Sequence, residues 1–548
     1  MRYFTLLIRV ACVVCLFAAQ SLCAAVAGKG VPAVKDTVDA YSKGLEAYKG
    51  GNLKEAVSLW KRAARKGDAL AQCNLGACYA SGKGVRLNHT KAVKWFRRAA
   101  AQGNDVAQCN IGNCYLRGTG VSQDVGEAVK WYMLAADQGN VVAMTNLGVC
   151  YQLGEGVDVN AEKAFSLFYA AAEKGYAEAQ NEVGGCFFFG SGVMQSYAEA
   201  FYWYGSAAAK GHVTAMCNLA RCYADGCGVA VDSAMAVKYY SLAAEKGSAD
   251  ACVALAGCYH SGRGVARDAS KAVRLYRRAA EMGNVDAQYL LAGCYYAGDG
   301  VDADKRKAVM WYTKAAEQND PDALCQLAGC YYWGDGVKAD YDIAMMLYVR
   351  SAKLGCAEAM VCISDYYEYD YDVDVDMFFA YDWCRKAAEM EYVPAYNRMG
   401  NYNYTGALGK IDYGKAVEWY EKGAEAGDEH ALFNLAQCYY LGHGVEKDYL
   451  TAARWYIRAA EKGNSDAQYL LGDMYYKGLG VQQSYSEAVY WYKKAAAQAH
   501  SDAMYDLGLC CYYGRGTMMN KVRAFEFWEL SAELGNEKSA KALKEFKR

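Results

Sequence analysis

Proline is almost missing from this chain: 548 residues carry three, Pro32, Pro321 and Pro394. A proline inside a helix removes a hydrogen bond and clashes with the preceding turn, so this scarcity leaves long stretches free to be helical. An excess of either charge is missing as well. Fifty-nine basic and 61 acidic residues give a net charge of −2, evenly mixed along the chain. That removes the concentrated basic surface needed to displace counterions from DNA or RNA, and nucleic acid is not an expected partner. Histidine is scarce, six in all and with no His-x-x-x-His pair, which argues against a histidine-rich zinc site. Long apolar runs are missing too. The segment Val10–Ala19 is short for a bilayer span and no other segment qualifies, so no membrane span is expected in the mature chain.

What is present begins with an export signal. Arg2 and Arg9 are basic, Val10–Ala19 is apolar, and Cys23-Ala-Ala-Val-Ala27 offers small residues for cleavage. Ala25 and Ala27 satisfy the small-x-small rule and favour a cut after Ala27; a cut after Cys23 is the alternative. Gln20-Ser-Leu22 makes a poor lipobox before Cys23, which argues against a lipid anchor. The expectation is a signal peptide at 1–27 and a mature protein that is secreted or periplasmic.

The 55 glycines mark regular turns. Gly-x-Gly-Val occurs at Gly82–Val85, Gly118–Val121, Gly154–Val157 and on to Gly334–Val337, returns at Gly442–Val445 and Gly478–Val481, and closes as Gly514–Thr517. Val85 to Thr517 is twelve steps of 36 residues without one insertion. Such a period is the signature of a repeat architecture. Aligned on this turn, thirteen units share an all-alanine column from Ala71 to Ala503. Four residues on comes an aliphatic residue or Met (Leu75, Ile111, Leu147), and next to it Gly, Ala or Ser (Gly76, Gly112, Ala220, Ser364). A knob beside a missing side chain admits a close neighbour. Two further all-alanine columns run from Ala92 and Ala100 and flank an aromatic pair such as Trp131-Tyr132. Three residues after the turn Val stands Asp, Asn or Ser in every unit (Asn88, Asp124, Asn160, Ser196), the types that cap helix N-termini. Most second helices stop near a glycine (Gly103, Gly139, Gly175, Gly211) suited to a left-handed C-cap, and the turn glycines are expected at positive φ for the same reason. Each unit reads as helix, tight turn, helix, stop. None can bury its apolar face alone, so neighbours must stack.

The pattern in Ala467-Gln-Tyr-Leu-Leu-Gly472, Tyr475-Tyr476, Gly478-Leu-Gly-Val481, Ala488-Val-Tyr-Trp-Tyr492 and Ala495-Ala496 resembles the Sel-one-like repeat (SLR) family, a cousin of the tetratricopeptide repeat. The resemblance covers residues 69–536 and weakens at about 357–428. Residues 28–68 read as a linker and a capping unit (Gly44, Tyr48, Gly51-Asn52, Ala56, Trp60) that looks more like a tetratricopeptide repeat; 537–548 read as a polar closing helix. The resemblance implies an all-α fold, an α/α right-handed superhelical solenoid of about thirteen repeats, acting in protein–protein contacts.

Ten cysteines fill one first-helix column, Cys78 to Cys510, and a sparser column holds Cys73, Cys109, Cys217 and Cys325. Five residues on a helix turn through about 140°, so the two columns cannot bond within a repeat, and equivalent residues in successive repeats lie at a helix-packing distance of roughly 9 Å, too far for a disulfide. The cysteine-rich branch of the family would imply stapling disulfides, but the end-of-helix position it uses is alanine here (Ala100, Ala136, Ala172). Cysteine is therefore read as a small apolar core residue, with Cys227, Cys356, Cys362 and Cys384 off the main columns and open to local pairing. Outside the expected signal segment no CxxC pair occurs to suggest a metal. Relatives in that branch have been described as penicillin-binding or β-lactamase-like, and Ser58-Leu-Trp-Lys61 matches S-x-x-K, yet it sits mid-helix without the S-D-N and K-T-G partners. No catalytic, cofactor or metal residues are assigned, and the chain is not read as an enzyme. The run Asp365–Asp376 alternates aspartates, but an EF-hand register from Asp370 puts Val375 where Gly belongs and Tyr381 where Glu belongs; it reads as a degenerate acidic loop.

The first-helix positions that escape the repeat fall at i, i+4, i+7 and i+11, one stripe. The i+4 column holds Asn74, Asn110, Asn146, Glu182, Asn218, Gln326, Arg398 and Asn434; Arg221 and Asp473 follow at i+7, and Phe189 and Trp333 at i+11. These twelve are the candidate partner-binding residues. Amides offer donor and acceptor together, aromatics supply anchors, and in tetratricopeptide relatives first helices line a groove. The opposing reading is a solvated face or bonding between repeats. The expected partner is a protein or peptide; the alternative is cell-wall glycan, suggested by 49 tyrosines able to stack on sugars.

Overall fold

Each 36-residue period becomes two short helices and two turns. The computed structural model describes residues 32–369 and 376–546, and among these every regular element is a helix. The expected export signal and the acidic segment 370–375 lie outside the described residues. Two compact units are formed, one ending at Ala287 and the other beginning at Gln288.

The repeat at 105–140 shows how the sequence builds the first unit. Asn104 Oδ1 accepts the Ala107 N–H at 2.8 Å and starts the helix Asp105–Arg117. Gly118, at φ 67°, ends it in the left-handed region. The turn closes when the Asp124 N–H donates to the Tyr115 carbonyl at 3.0 Å. Asp124 then caps the helix Val125–Asp137 through the Glu127 N–H at 2.9 Å. Gly139, at φ 85°, stops that helix. The second turn glycine has a stricter duty than the first: a Cβ on Gly120 would lie 2.5 Å from the His89 carbonyl of the preceding repeat. Its missing side chain therefore sets how closely two repeats approach.

The small-residue column has a definite occupant. The Tyr132 ring lies on Gly112, where a Cβ would come within 2.5 Å of it, and Tyr132 is fully buried while its hydroxyl donates to Asn113 Oδ1 at 2.7 Å. Burying a ring of this size stabilises each repeat by roughly 2–3 kcal/mol. The alanine columns beginning at Ala71 and Ala92 are buried throughout, and so are all ten cysteines of the main column. No disulfide joins the described cysteines.

Two internal supports were not visible beforehand. First helices carry their own N-caps, such as Asp68, Asn104, Asn140 and Asp320. At two such positions the cap is a histidine: His212 Nδ1 accepts from Ala215 N–H at 3.1 Å, and His500 Nδ1 from Ala503 N–H at 3.2 Å. A set of buried glutamines also ties repeats together. Gln72 Nε2 donates to the Ala64 carbonyl at 3.0 Å, and Gln102 Nε2 donates to Gln72 Oε1 at 2.8 Å. Such bonds satisfy carbonyls left over at a helix C-terminus.

In the second unit the same grammar runs from the helix Lys305–Glu317 onward. At three second-helix stops, where most repeats have glycine, Asn319, Glu391 and Ala499 adopt φ of 61°, 60° and 63°. The closing helix Glu537–Phe546 is less polar than its lysines suggest. Phe546 stacks on Trp528 with centroids 5.3 Å apart, and Ala542 is buried, so the last repeat's apolar face is covered. No helix among the described residues is long and apolar enough to cross a membrane.

Candidate partner-binding face

The stripe residues engage the repeat next to their own more than sequence spacing alone suggests. In the first unit, Asn146 Nδ2 donates to Asn113 Oδ1 at 3.1 Å, the same oxygen that receives the Tyr132 hydroxyl. Asn110 bonds the Cys73 thiol. Asn218 Nδ2 donates to Asn181 Oδ1 at 3.0 Å, and Asn181 Nδ2 passes on to Glu182 Oε1 at 3.1 Å. Asn74 is half-buried. The Arg221 guanidinium lies 4.8 Å from the Phe188 ring centroid, and Phe188 meets Phe189 edge-on at 4.9 Å. Glu182 and Asn218 are thus linked through Asn181, and Phe189 and Arg221 through Phe188.

The second unit repeats the motif eight periods on. Asn434 Nδ2 donates to Asn401 Oδ1 at 3.2 Å and to Asn397 Oδ1 at 2.8 Å, and the Tyr420 hydroxyl also reaches Asn401 Oδ1, at 2.8 Å. Arg398 grips Asp365 with both guanidinium nitrogens, one of them 2.9 Å from Oδ2. Gln326 Nε2 approaches Glu358 Oε1 at 3.4 Å, and Asp473 pairs with Lys477 at 2.6 Å. Trp333 stands 73% exposed at the end of its helix, edge-on to Tyr332. Asn434 lines an open recess of about 440 Å3 shared with Asn397, Asn401, Phe433, His430 and Asp466. Asn113 and Asn401 belong to the i+7 column, and their amides there were the signal that spacing alone passed over.

Burial changes the charge of Glu182 and of Asp506, the acidic residue at the same helix position nine repeats on. Burial first, then the charge of Glu178, holds the Glu182 carboxyl up at about 7. Asp506 is raised to about 6, mainly by burial, against a hydrogen bond from Tyr469 and with added repulsion from Asp473. Near pH 7 Glu182 is therefore only partly ionised, whereas Asp506 remains mostly a carboxylate.

The chemistry of the remaining candidates is structural. Ser58 lies exposed in the middle of the helix Leu53–Arg65. Among the described residues no group of three or more His, Cys, Asp or Glu is arranged to hold a metal.

A family model described as the Sel1 repeat matches fourteen consecutive segments, from 39–68 and 69–104 through to 501–536. The chain belongs to the Sel1-repeat family. The match takes in the capping unit at 39–68 and the degenerate repeats at 357–428 alongside the regular ones. Among solved structures, this Sel1-repeat chain is similar to a protective antigen of uropathogenic Escherichia coli strains displaying an SLR fold: 32% identity, 89% of this chain and 97% of that one covered, TM-score 0.57. It is also similar to a Sel1 repeat protein from Oxalobacter formigenes, at 33% identity over 45% of this chain and 96% of that one, TM-score 0.42. No curated protein matches it. Sel1 and tetratricopeptide-like repeats typically mediate protein–protein interactions.

Proposed function

We propose that this protein is an exported adaptor that holds a protein or peptide against the face of its first helices. Trp333 carries the reading. Of eleven tryptophans, ten are buried or half-buried and this one, on the stripe, is exposed. Tryptophan is over-represented among the residues that dominate binding energy, and leaving one in water without a partner wastes its apolar surface. The amides around the stripe support it. Each has two donors and an acceptor oxygen with two lone pairs; Asn218 is buried and spends its amide between repeats, while the half-buried Asn74, Asn110, Asn146 and Asn434 keep bonding capacity on the surface. Arg221 adds a buried Nε without a partner. Export is supported by the basic and apolar N-terminus and by the E. coli relative, a protective antigen, since antibodies reach proteins outside the cytosol.

The test is affinity capture from envelope and culture extracts with residues 28–548 as bait, beside a bait carrying Asn110→Ala, Asn146→Ala and Trp333→Ala. Discrete proteins retained by the first bait and lost from the second support the reading. Equal retention by both removes the first-helix face, and recovery of wall fragments alone favours glycan.

A further inference from the structure

Three thiols meet at the start of the most irregular repeat. Cys325 lies on the helix Pro321–Trp333, Cys356 is the residue preceding the helix Ala357–Tyr369, and Cys362 lies one and a half turns into that helix. Cys325 and Cys356 belong to one buried core cluster, and Cys362 packs against it. Cys325 and Cys356 are buried, and Cys362 is half-buried.

The repeat itself supplies an independent measure of this geometry. Three periods earlier the equivalent pair is Cys217 and Ser248, and their Sγ and Oγ lie 3.7 Å apart. The sparse cysteine column therefore touches the first-helix N-cap position of the following repeat. In most other repeats that position holds a residue whose side chain caps the helix, such as Asp68, Asn104, Asn140 or Asp320, while Tyr176 and Tyr392 there make no side-chain cap. A cysteine caps poorly, so Cys356 gives up a good helix start, and what it gains is a sulfur against a sulfur. Column-to-column pairing stays out of reach, as the repeat spacing requires, but this column-to-cap pairing does not.

We propose that Cys325 and Cys356 form a disulfide by exchange with a low-molecular-weight disulfide, tying one repeat to the N-terminus of the next. Cys356 is the attacking group. It sits at a helix N-terminus, where thiolates are favoured, and contact with Cys325, the Ala359 N–H and the Ser351 hydroxyl draw its thiol down to about 6 against the opposing effect of burial. The Cys325 thiol is pushed up, by its bonds to the other two thiols and by burial. The Cys356 thiolate attacks one sulfur of the reagent, R–S–S–R, and forms Cys356–S–S–R while RS⁻ leaves and takes up a proton. The Cys325 thiol then gives up its proton and attacks the Cys356 sulfur, and the second RS⁻ leaves as RSH. Two protein thiols become one disulfide and one reagent disulfide becomes two thiols, so electrons and protons balance. Cys362, packed against the same cluster, takes no part in the final bond.

The experiment uses the full chain, purified reduced, folded, and treated with oxidised glutathione. The reaction is quenched with acid, free thiols are alkylated in denaturant, and the chain is digested without reduction and mapped by mass spectrometry. The expected product joins the Cys325 peptide to the Cys356 peptide, with both residues lost from the alkylated fraction together. It persists in Cys362→Ser and disappears in Cys356→Ser, whose circular dichroism in reductant serves as the folding control. Recovery of Cys325 as a free or singly glutathionylated thiol in the wild-type chain overturns the proposal, and so does a wild-type link from Cys325 to Cys362 alone.

Discussion

Replacing Gly120 with alanine should cost far more than the same change two residues earlier at Gly118. Both glycines have positive φ, 67° at Gly118 and 78° at Gly120. An alanine in that region costs about 1–2 kcal/mol at either site. Their surroundings differ. A Cβ at Gly118 would meet Gln123 Cβ at 3.3 Å, the base of a side chain in the same turn. At Gly120 it would meet the His89 carbonyl at 2.5 Å and the Thr90 nitrogen at 2.9 Å, backbone of the preceding repeat's second helix. Backbone cannot rotate out of the way, so the repeats must part, at a further cost of about 1–3 kcal/mol by analogy with overpacked cores. Gly118→Ala should then destabilise by about 1–2 kcal/mol and Gly120→Ala by about 2–5 kcal/mol. Stability in a solenoid is a sum of repeat and nearest-neighbour contributions, so the extra loss should appear at the junction of 69–104 with 105–140. Urea unfolding gives the totals. Amide hydrogen exchange should show faster opening of the first turn of the helix His89–Ala100 in Gly120→Ala alone. Equal destabilisation by the two variants, within about 0.5 kcal/mol, would refute the close-approach argument.

Ala499→Gly should stabilise the chain by about 1 kcal/mol, because Ala499 occupies φ 63° where most repeats place glycine; an unchanged or lower urea midpoint contradicts this. Glu182 is held up at about 7 in the fold against an ordinary 4.5, so its stabilising contribution is complete below about pH 4.5 and is lost as pH rises through 7. Glu182→Gln should therefore match the wild type at pH 4 and exceed it at pH 8 by on the order of 1–3 kcal/mol, and denaturant curves that stay parallel across that window contradict the assignment. Trp333→Ala should leave stability within about 0.5 kcal/mol, as befits an exposed side chain, while weakening partner binding by at least about tenfold (roughly 1.4 kcal/mol), read by calorimetry on a captured partner.

The architecture was legible because its evidence is covalent. A 36-residue period with three all-alanine columns, a cap residue after every Val turn and glycine at the stops requires no tertiary knowledge, and helices, caps and positive φ stand where those columns put them. What escaped the columns has a physical reason. The first-helix N-caps vary in type, from Asp68 and Asn104 to His212, Ser248 and Cys356, so no uniform column announces them. The glutamine ties share their column with Met216, Cys252 and Leu324, which fill the same slot without the amide. The face bearing Asn146 and Asn434 could be read from helical spacing, but their bonds to Asn113 and Asn401 depend on how one repeat lies on another. The polar reading of the closing helix counted its lysines and overlooked that Ala542 and Phe546 share a face.

The central claim is that first helices meet the partner, and side-chain footprinting by hydroxyl radicals on the captured complex tests it most directly. Trp333 and Phe189 on first helices and Met346, 65% exposed on the second helix Tyr341–Lys353, all react in the free chain if accessible. The account predicts that partner binding protects Trp333, Phe189 or both while Met346 reacts as before. Protection of Met346 with Trp333 and Phe189 unchanged would place the partner on the second helices and contradict it.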